Sequence, residues 1–325
     1  MPRRSLRTCQ HLVFLSVCTV ALLAGCKRDA EPLPGAGTEP AATVRQLAQH
    51  LRHNDLLGYA KAAVPPAQYA ELETAWAQGH SRWPLTELPL DEKLPSLLAT
   101  LSDKGAEQQL QRAFRAQFEG QSAAVRQAAH SLGLFGEQYI THQGDYTPAE
   151  RAHYVQLVKA LSDWAQAAPL SDAKLARTNI TTLTSAARAT GLAGEAAFQQ
   201  AGMSASLERL GPFAGAIKQV LASYGLELDQ SVEQMRTGLI SQDGDNAVVR
   251  VQYPLAGKDV DLQLALVRRD KRWYPARTLA EADAVLATAR AAEQVKADAV
   301  AATAAAEAEA AASQTPGNAD TAAKP

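Results

Sequence analysis

Apolar residues recur every three or four positions over most of the chain, a spacing that gathers side chains on one face of an α-helix. The recurrence begins at Val44 and continues to about Tyr224. Glycine and proline interrupt it repeatedly, and the Gly-Leu-Phe-Gly segment at 133–136 is one such break between two helices. The pattern therefore predicts an irregular all-helical array over residues 44–224, without a fixed repeat period.

Polar residues mark where several helices begin. The Thr-Pro-Ala-Glu sequence at 147–150 forms a capping box with proline at the first helical position. The Ser-Asp pair at 171–172 predicts a further start, with Ser171 acting as a cap. The Thr-Leu-Ala-Glu sequence at 278–281 forms a second capping box and predicts that a long last helix begins there.

The spacing changes near residue 227, and beyond a short helix that ends near Met235 apolar and polar residues alternate. Leu239 and Ile240 begin a first strand, and the Asp-Gly pair that follows favours a tight hairpin turn. Turns at 254–257 and 269–271 separate the later strands, whose apolar positions share one face. The residues on that face are Ala247, Val249, Val251, Tyr253, Val260, Leu262, Leu264 and Leu266.

These elements predict an α+β fold. A mainly helical domain at 44–224 precedes a small antiparallel β-meander at 225–277, which is packed on a helix. Residues 278–325 are rich in alanine and carry no large apolar residue after Val300. We expect a solvated helix that leads into a disordered tail, rather than a partner-binding coiled coil.

The meander and its preceding helix resemble the curved sheet of small cone-shaped domains of the nuclear transport factor type. The resemblance rests on the order helix, strand, Asp-Gly turn, strand, turn, strand, and on Trp273 after the last turn. It implies that Trp273 anchors the core at the rim of the sheet. Members of that family use the cone as a ligand pocket, an enzyme pocket or a scaffold, so the resemblance implies no single function. An ordinary hairpin sheet on a helical domain fits the pattern equally well.

The first 25 residues have the form of an export signal. Arg3, Arg4 and Arg7 give a positive start, and the apolar run at 12–23 follows it. That run is too short for a permanent membrane-spanning helix, which needs about 20 residues. We therefore expect a cleaved signal peptide at 1–25.

The signal ends in Leu23-Ala24-Gly25-Cys26. This sequence resembles the lipobox of bacterial lipoproteins, which implies that a signal peptidase recognises Leu23, Ala24 and Gly25 and that Cys26 carries a diacylglyceryl group. Because Lys27 and not aspartate follows the cysteine, the same resemblance implies an outer-membrane lipoprotein that faces the periplasm. Residues 26–43 are rich in proline, glycine and alanine and predict a flexible tether.

Composition narrows the possible chemistry. The 32 Lys and Arg residues balance 34 Asp and Glu residues, which argues against nucleic acid as a partner. All three cysteines, Cys9, Cys18 and Cys26, lie in the leader or at its cleavage point. The remaining chain therefore has no thiol for disulfides, thiolate catalysis or zinc–cysteine sites.

Two constellations are candidate chemical sites. Ser171 and Lys174 have the Ser-x-x-Lys spacing of penicillin-binding enzymes, and the Arg-Thr-Gly sequence at 236–238 imitates a later motif of that family. The gap between them is too short for the intervening domain of those enzymes. His142, Asp145 and His153 could converge on a metal ion, although polar residues are expected before a helix start. His53-Asn54-Asp55 and His80 are read as polar residues of loops or helix ends. We predict no catalytic, metal or cofactor site.

A last candidate is a groove lined by aromatic rings that would bind a peptide, sugar or lipid. Most of the aromatic rings of the chain are, however, expected in the core. The residues of the groove would be Tyr69, Trp76, Trp83, Tyr154, Trp164 and Trp273. The sequence thus favours a lipid-anchored, non-enzymatic envelope protein that binds or scaffolds an envelope protein partner. Two alternatives stay open: an enzyme that acts on the cell wall, and a small-ligand binder that uses the C-terminal sheet.

Overall fold

The computed structural model describes residues 39–87, 91–144 and 146–313. The helices are α1 (Pro40–Arg52), α2 (Leu56–Ala63), α3 (Pro66–Ala77), α4 (Leu94–Ser102), α5 (Ala106–Gln117), α6 (Ser122–His142), α7 (Pro148–Ala167), α8 (Ala173–Thr190), α9 (Glu195–Ala201), α10 (Met203–Ser223), α11 (Leu228–Glu233) and α12 (Ala276–Ser313). The strands are β1 (Arg236–Asp243), β2 (Asn246–Leu255), β3 (Lys258–Arg269) and β4 (Arg272–Pro275). The predicted α+β fold, a helical array followed by a meander, is confirmed.

The four strands form one antiparallel sheet in the order β1-β2-β3-β4. Asp243 pairs with Asn246, so the predicted Asp-Gly hairpin closes through Gly244, whose φ of 55° suits the turn. The last turn is equally tight, with positive φ at Asp270 and Lys271. The predicted turns and the order of strands are therefore confirmed.

Helix α1 covers the core face of the sheet. Ala41 and Val44 pack against a cluster that contains Val249, Val251 and Trp273. Trp273 is buried there, as predicted. The end predicted for the flexible tether, residue 43, is wrong, because α1 already begins at Pro40 and buries its first turn against the sheet. Proline at this position carries no unsatisfied N–H and has the backbone angle that starts a helix.

The largest hydrophobic core joins the helices around α3. Its fully buried members include Trp76, Trp83 and Phe198. α12 adds Leu279 and Leu286 to this core. The described residues from 39 to 313 belong to one compact unit.

The predicted helix boundary at 133–136 is wrong, because both glycines lie inside α6. A Cβ atom at Gly133 would come within 2.1 Å of Ser162 Oγ, and one at Gly136 within 3.3 Å of Val158 Cγ1. These glycines therefore let α6 approach α7 closely, which glycine permits because it has no side chain.

One of the predicted helix starts is confirmed in detail. Thr147 Oγ1 accepts a hydrogen bond from the Glu150 backbone N–H, and the Glu150 carboxylate accepts one from the Thr147 N–H. At the start of α8 the cap is Asp172 and not Ser171, because the Asp172 carboxylate accepts the Leu175 N–H at 2.8 Å. The role predicted for Ser171 is therefore wrong.

The capping box predicted at 278–281 is also wrong. α12 begins at Ala276, directly after β4. The Thr278 hydroxyl contacts Glu87 Oε2 at 3.4 Å, and Glu281 accepts a hydrogen bond from Arg277 at 2.8 Å. Both side chains have partners other than the helix N-terminus. Beyond Glu293 the described side chains of α12 are exposed, as expected for its alanine-rich part.

Candidate protein-binding surface

Helix α6 carries large apolar side chains on its outside. None of its residues, all of which the structure describes, is buried. Leu132 is 69% exposed, Phe135 68% and Tyr139 49%. With the exposed Ala128 they form one face, which we call the α6 stripe. Isolated exposed apolar residues are ordinary, but a contiguous row on one helix indicates an interaction site.

The spacing of the α6 stripe suits another helix. Positions 128, 132, 135 and 139 follow the alternation of four and three residues that forms the seam of a coiled coil. The rings of Phe135 and Tyr139 stack with their centroids 6.3 Å apart. α7 does not use this seam, because it packs on the side of α6 that contains Gly133 and Gly136.

Three hydrogen bonds hold the hairpin formed by α6 and α7 on the rest of the protein, two of them to the sheet and one to the residue that follows α10. His153 Nδ1 lies 2.9 Å from the backbone oxygen of Asp261 on β3. The Asp261 N–H donates to Gln156 Oε1 at 2.9 Å. Trp164 Nε1 donates to the backbone oxygen of Tyr224 at 2.8 Å. α7 is thus the anchored helix of the pair, and it carries α6.

The end of α6 is fixed by one side chain of α7. The Arg151 guanidinium donates to the backbone oxygens of Thr141 at 2.9 Å and Gln143 at 3.1 Å, and it also contacts the oxygen of Ile140. A cation at this end satisfies free carbonyl groups and opposes the negative end of the helix dipole. The α6 stripe is therefore presented on a helix whose end is tied to its neighbour.

The border of the α6 stripe away from α7 is uncharged. Helical spacing places Ala124, Ser131 and Gln138 along it. The acidic Glu137 instead forms an ion pair with Lys159 of α7 at 3.4 Å. Binding at this surface would depend on apolar contact and would respond weakly to salt.

The structure separates the residues of the candidate metal site. His153 is buried between α7 and the sheet, whereas His142 is exposed at the end of α6. Asp145 lies outside the described residues. Among the described residues, no group of three or more His, Cys, Asp or Glu side chains is placed to hold a metal ion.

Burial lowers the pKa of His153 and outweighs its hydrogen bond to Asp261, which acts in the opposite direction. The ring contacts Tyr154 and Tyr253, with centroids 5.5 and 6.2 Å away. His153 is thus a core residue of α7 whose neutral form is favoured by burial, and not a metal ligand with His142.

The other candidate residues occupy ordinary structural positions. Lys174 is exposed in the first turn of α8, and Arg236 begins β1. Asp55 caps α2 by accepting the Gly58 N–H, and His80 bonds to Glu293 at 2.7 Å. Tyr69, Trp76, Trp83 and Trp273 are buried, so the expectation that these rings lie in the core is confirmed.

Glu87 is a partly buried carboxyl group beside the helical core. Burial raises its pKa, although its Oε1 accepts a hydrogen bond from Trp83 Nε1 at 2.7 Å. Nearby, burial raises the pKa of Tyr59 to about 12. Both oxygens of Glu87 have partners, because Oε2 contacts Thr278. The group therefore ties the segment before α4 to α12.

A surface cavity of about 560 Å³ lies where α6 ends and α7 begins. It is lined by Thr141, Tyr146, Pro148, Arg151, Ala152 and Val155. This cavity does not lie behind the meander, where a ligand pocket was one expectation. That space contains the contacts of α1 with the sheet described above.

Comparison of the chain with protein-family models, curated proteins and solved structures finds no match. None of the described helices has the length and apolar character that crossing a membrane requires. Leu23, Ala24, Gly25 and Cys26, together with the tether up to residue 38, lie outside the described residues.

Sequence reasoning missed the α6 stripe. Because glycine commonly interrupts helices, the sequence predicts a helix boundary at 133–136, and this boundary divides the stripe into two parts. The signal that could have found it is the spacing of Leu132, Phe135 and Tyr139, which continues a single helical seam through the glycines.

Proposed function

We propose that this protein is a lipid-anchored, non-enzymatic lipoprotein of the outer membrane, facing the periplasm, that binds an envelope protein through the α6 stripe. The membrane is reached through acylated Cys26. The partner contributes an amphipathic helix to the stripe. Nucleic acid has no part in this function.

The anchor is supported by sequence. The charged start, the short apolar run and Leu23-Ala24-Gly25-Cys26 occur in the order required for lipoprotein processing. Several acyl chains on one residue would hold the protein firmly on a bilayer, since each buried methylene contributes about 0.8 kcal/mol.

The observation that carries the binding role is the exposure of the α6 stripe. Leu132 and Phe135 leave about two thirds of their surface in water, at 69% and 68%. Burying such side chains against a partner would contribute about 25 cal/mol for each Å² of apolar surface. Two-helix recognition of this kind uses anchors at spacings of three and four residues.

The test is cross-linking and recovery of the full chain from native membranes. We expect one stoichiometric envelope partner with the unchanged protein and its loss with Phe135→Gln or Leu132→Gln. The matched control is Leu134→Gln, because Leu134 is 53% exposed on the same helix but lies off the stripe.

A Cys26→Ser chain separates the anchor from the binding surface. We expect this variant to leave the membrane fraction and still to bind the purified partner. The proposal is wrong if Phe135→Gln and Leu134→Gln recover the same partner in equal amounts, or if the unchanged protein recovers no partner.

A further inference from the structure

β1 is an exposed edge of the sheet. Seven of its eight residues are exposed, and Thr237 is half-buried. One side of the strand pairs with β2. The strand contains neither lysine nor proline, two of the residues that commonly protect such edges from pairing. Its outer N–H and C=O groups therefore form a template for another strand.

The middle of β1 is apolar and its ends carry opposite charges. Leu239 is 51% exposed and Ile240 49%. Arg236 begins the strand and Asp243 ends it. Neither end residue forms an ion pair with a described residue.

A β-bulge lies between these halves of the strand. Leu239 pairs with Val249 and Ser241 pairs with Val248, so Ile240 is the extra residue. In a regular strand, residues seven positions apart face opposite sides. The extra residue reverses this relation for β1, because Arg236 and Asp243 now lie on the same face.

The remaining pairs of positions follow the same symmetry. Thr237 and Gln242 both lie opposite buried residues of β2, and so share the core face. Gly238 and Ser241 share the other face. From either end of β1 towards its middle, the first three residues therefore lie on the outer face, the core face and the outer face, in that order.

We propose that β1 pairs antiparallel with β1 of a second copy of this chain, around a two-fold axis between Leu239 and Ile240. In this register Arg236 lies opposite the partner's Asp243, and Leu239 lies opposite the partner's Ile240. The extra residue of each strand therefore lies next to the two-fold axis and opposite Leu239 of the other strand, so the two bulges are adjacent and related by symmetry. The result is one continuous eight-stranded sheet with two inter-subunit charge pairs.

The charges favour this register over the registers that are shifted by one residue. A shift by one residue in either direction removes the contact between Arg236 and Asp243. It also places core-face residues opposite residues of the other face, because the bulge has changed the alternation. Opposite charges directly across antiparallel strands are stabilising, and like charges are destabilising.

The test is sedimentation equilibrium of the full chain in density-matched detergent micelles. We expect a concentration-dependent dimer. Asp243→Arg should raise the dimer dissociation constant about tenfold, because each of the two charge pairs becomes repulsive. Arg236→Asp should have a similar effect, and the double variant should restore the original constant.

Two controls separate this surface from others. Asp259→Arg makes the same charge change at an exposed position of β3 and should leave the dissociation constant unchanged. Phe135→Gln on the α6 stripe should also leave it unchanged, so that this test is independent of partner binding. The proposal is overturned by a monomer at all concentrations, by failure of the double variant to restore the dimer, or by loss of the dimer with Phe135→Gln.

Discussion

The helical core and α6 are built from similar sequence patterns and end in opposite environments. In the core, Leu72 and Trp76 of α3 are fully buried among several helices. On α6, Leu132 and Phe135 remain mostly exposed, although their spacing is equally regular. Periodicity thus determines which residues share a helix face, but the arrangement of neighbouring elements determines whether that face is covered.

The largest expected effect comes from removing one aromatic ring from each region by substitution with alanine. Trp76→Ala should lower the free energy of unfolding by about 3–5 kcal/mol, because it leaves a large cavity in the core. Phe135→Ala should change it by less than about 0.5 kcal/mol, because the ring is in water. Urea unfolding followed by circular dichroism measures both. Equal losses would show that the α6 stripe is covered in solution.

The next effect tests how α6 is joined to the rest of the protein through its close contact with α7. Gly133→Leu should push α6 away from Ser162 of α7 and cost about 1–3 kcal/mol, as overpacking does. We expect faster hydrogen exchange confined to α6 and α7, with the core unchanged. Gly136→Ala is the milder control, because its new Cβ meets only Val158 at 3.3 Å. Uniformly faster exchange would mean that the hairpin and the core unfold as one unit.

The smallest effect concerns the attachment of α7 to the sheet. The pKa of His153 in the folded protein lies below its ordinary value of 6.5 because of burial. Its contribution to stability is therefore complete above about pH 6.5 and is lost as the pH falls. The slope should not exceed about 1.4 kcal/mol per pH unit.

Thermal unfolding between pH 7 and pH 5 measures this dependence. His153→Gln keeps a side chain that can form hydrogen bonds but removes the titration, so its unfolding temperature should fall less over the same range. A parallel decrease in both proteins would assign the pH dependence to other groups.

The sequence predicted the meander well because its signals are local. An Asp-Gly turn and strict alternation are properties of adjacent residues, and both were confirmed. The first residues of the helices were predicted less accurately, since Ser171 and Thr278 each occupy a position where a capping residue is common. The Ser171 cap failed because Asp172 supplies it, and the Thr278 box failed because α12 begins two residues earlier.

The candidate surface could not be predicted for a different reason. The meaning of Gly133 depends on Ser162, which is 29 positions further along the chain and opposes it only in the folded hairpin. The order of Arg236, Ile240 and Asp243 was visible in the sequence. Its symmetry became evident only when the pairing of β1 with β2 located the bulge.

The length of α12 has a mechanical consequence. From 294 onward its described side chains are exposed on every side, and the helix continues to Ser313. At about 1.5 Å per residue, this part extends about 30 Å beyond Glu293. This part of α12 is thus a single helix about as long as a bilayer core is thick, and the helix propensity of its alanines, rather than packing, keeps it extended.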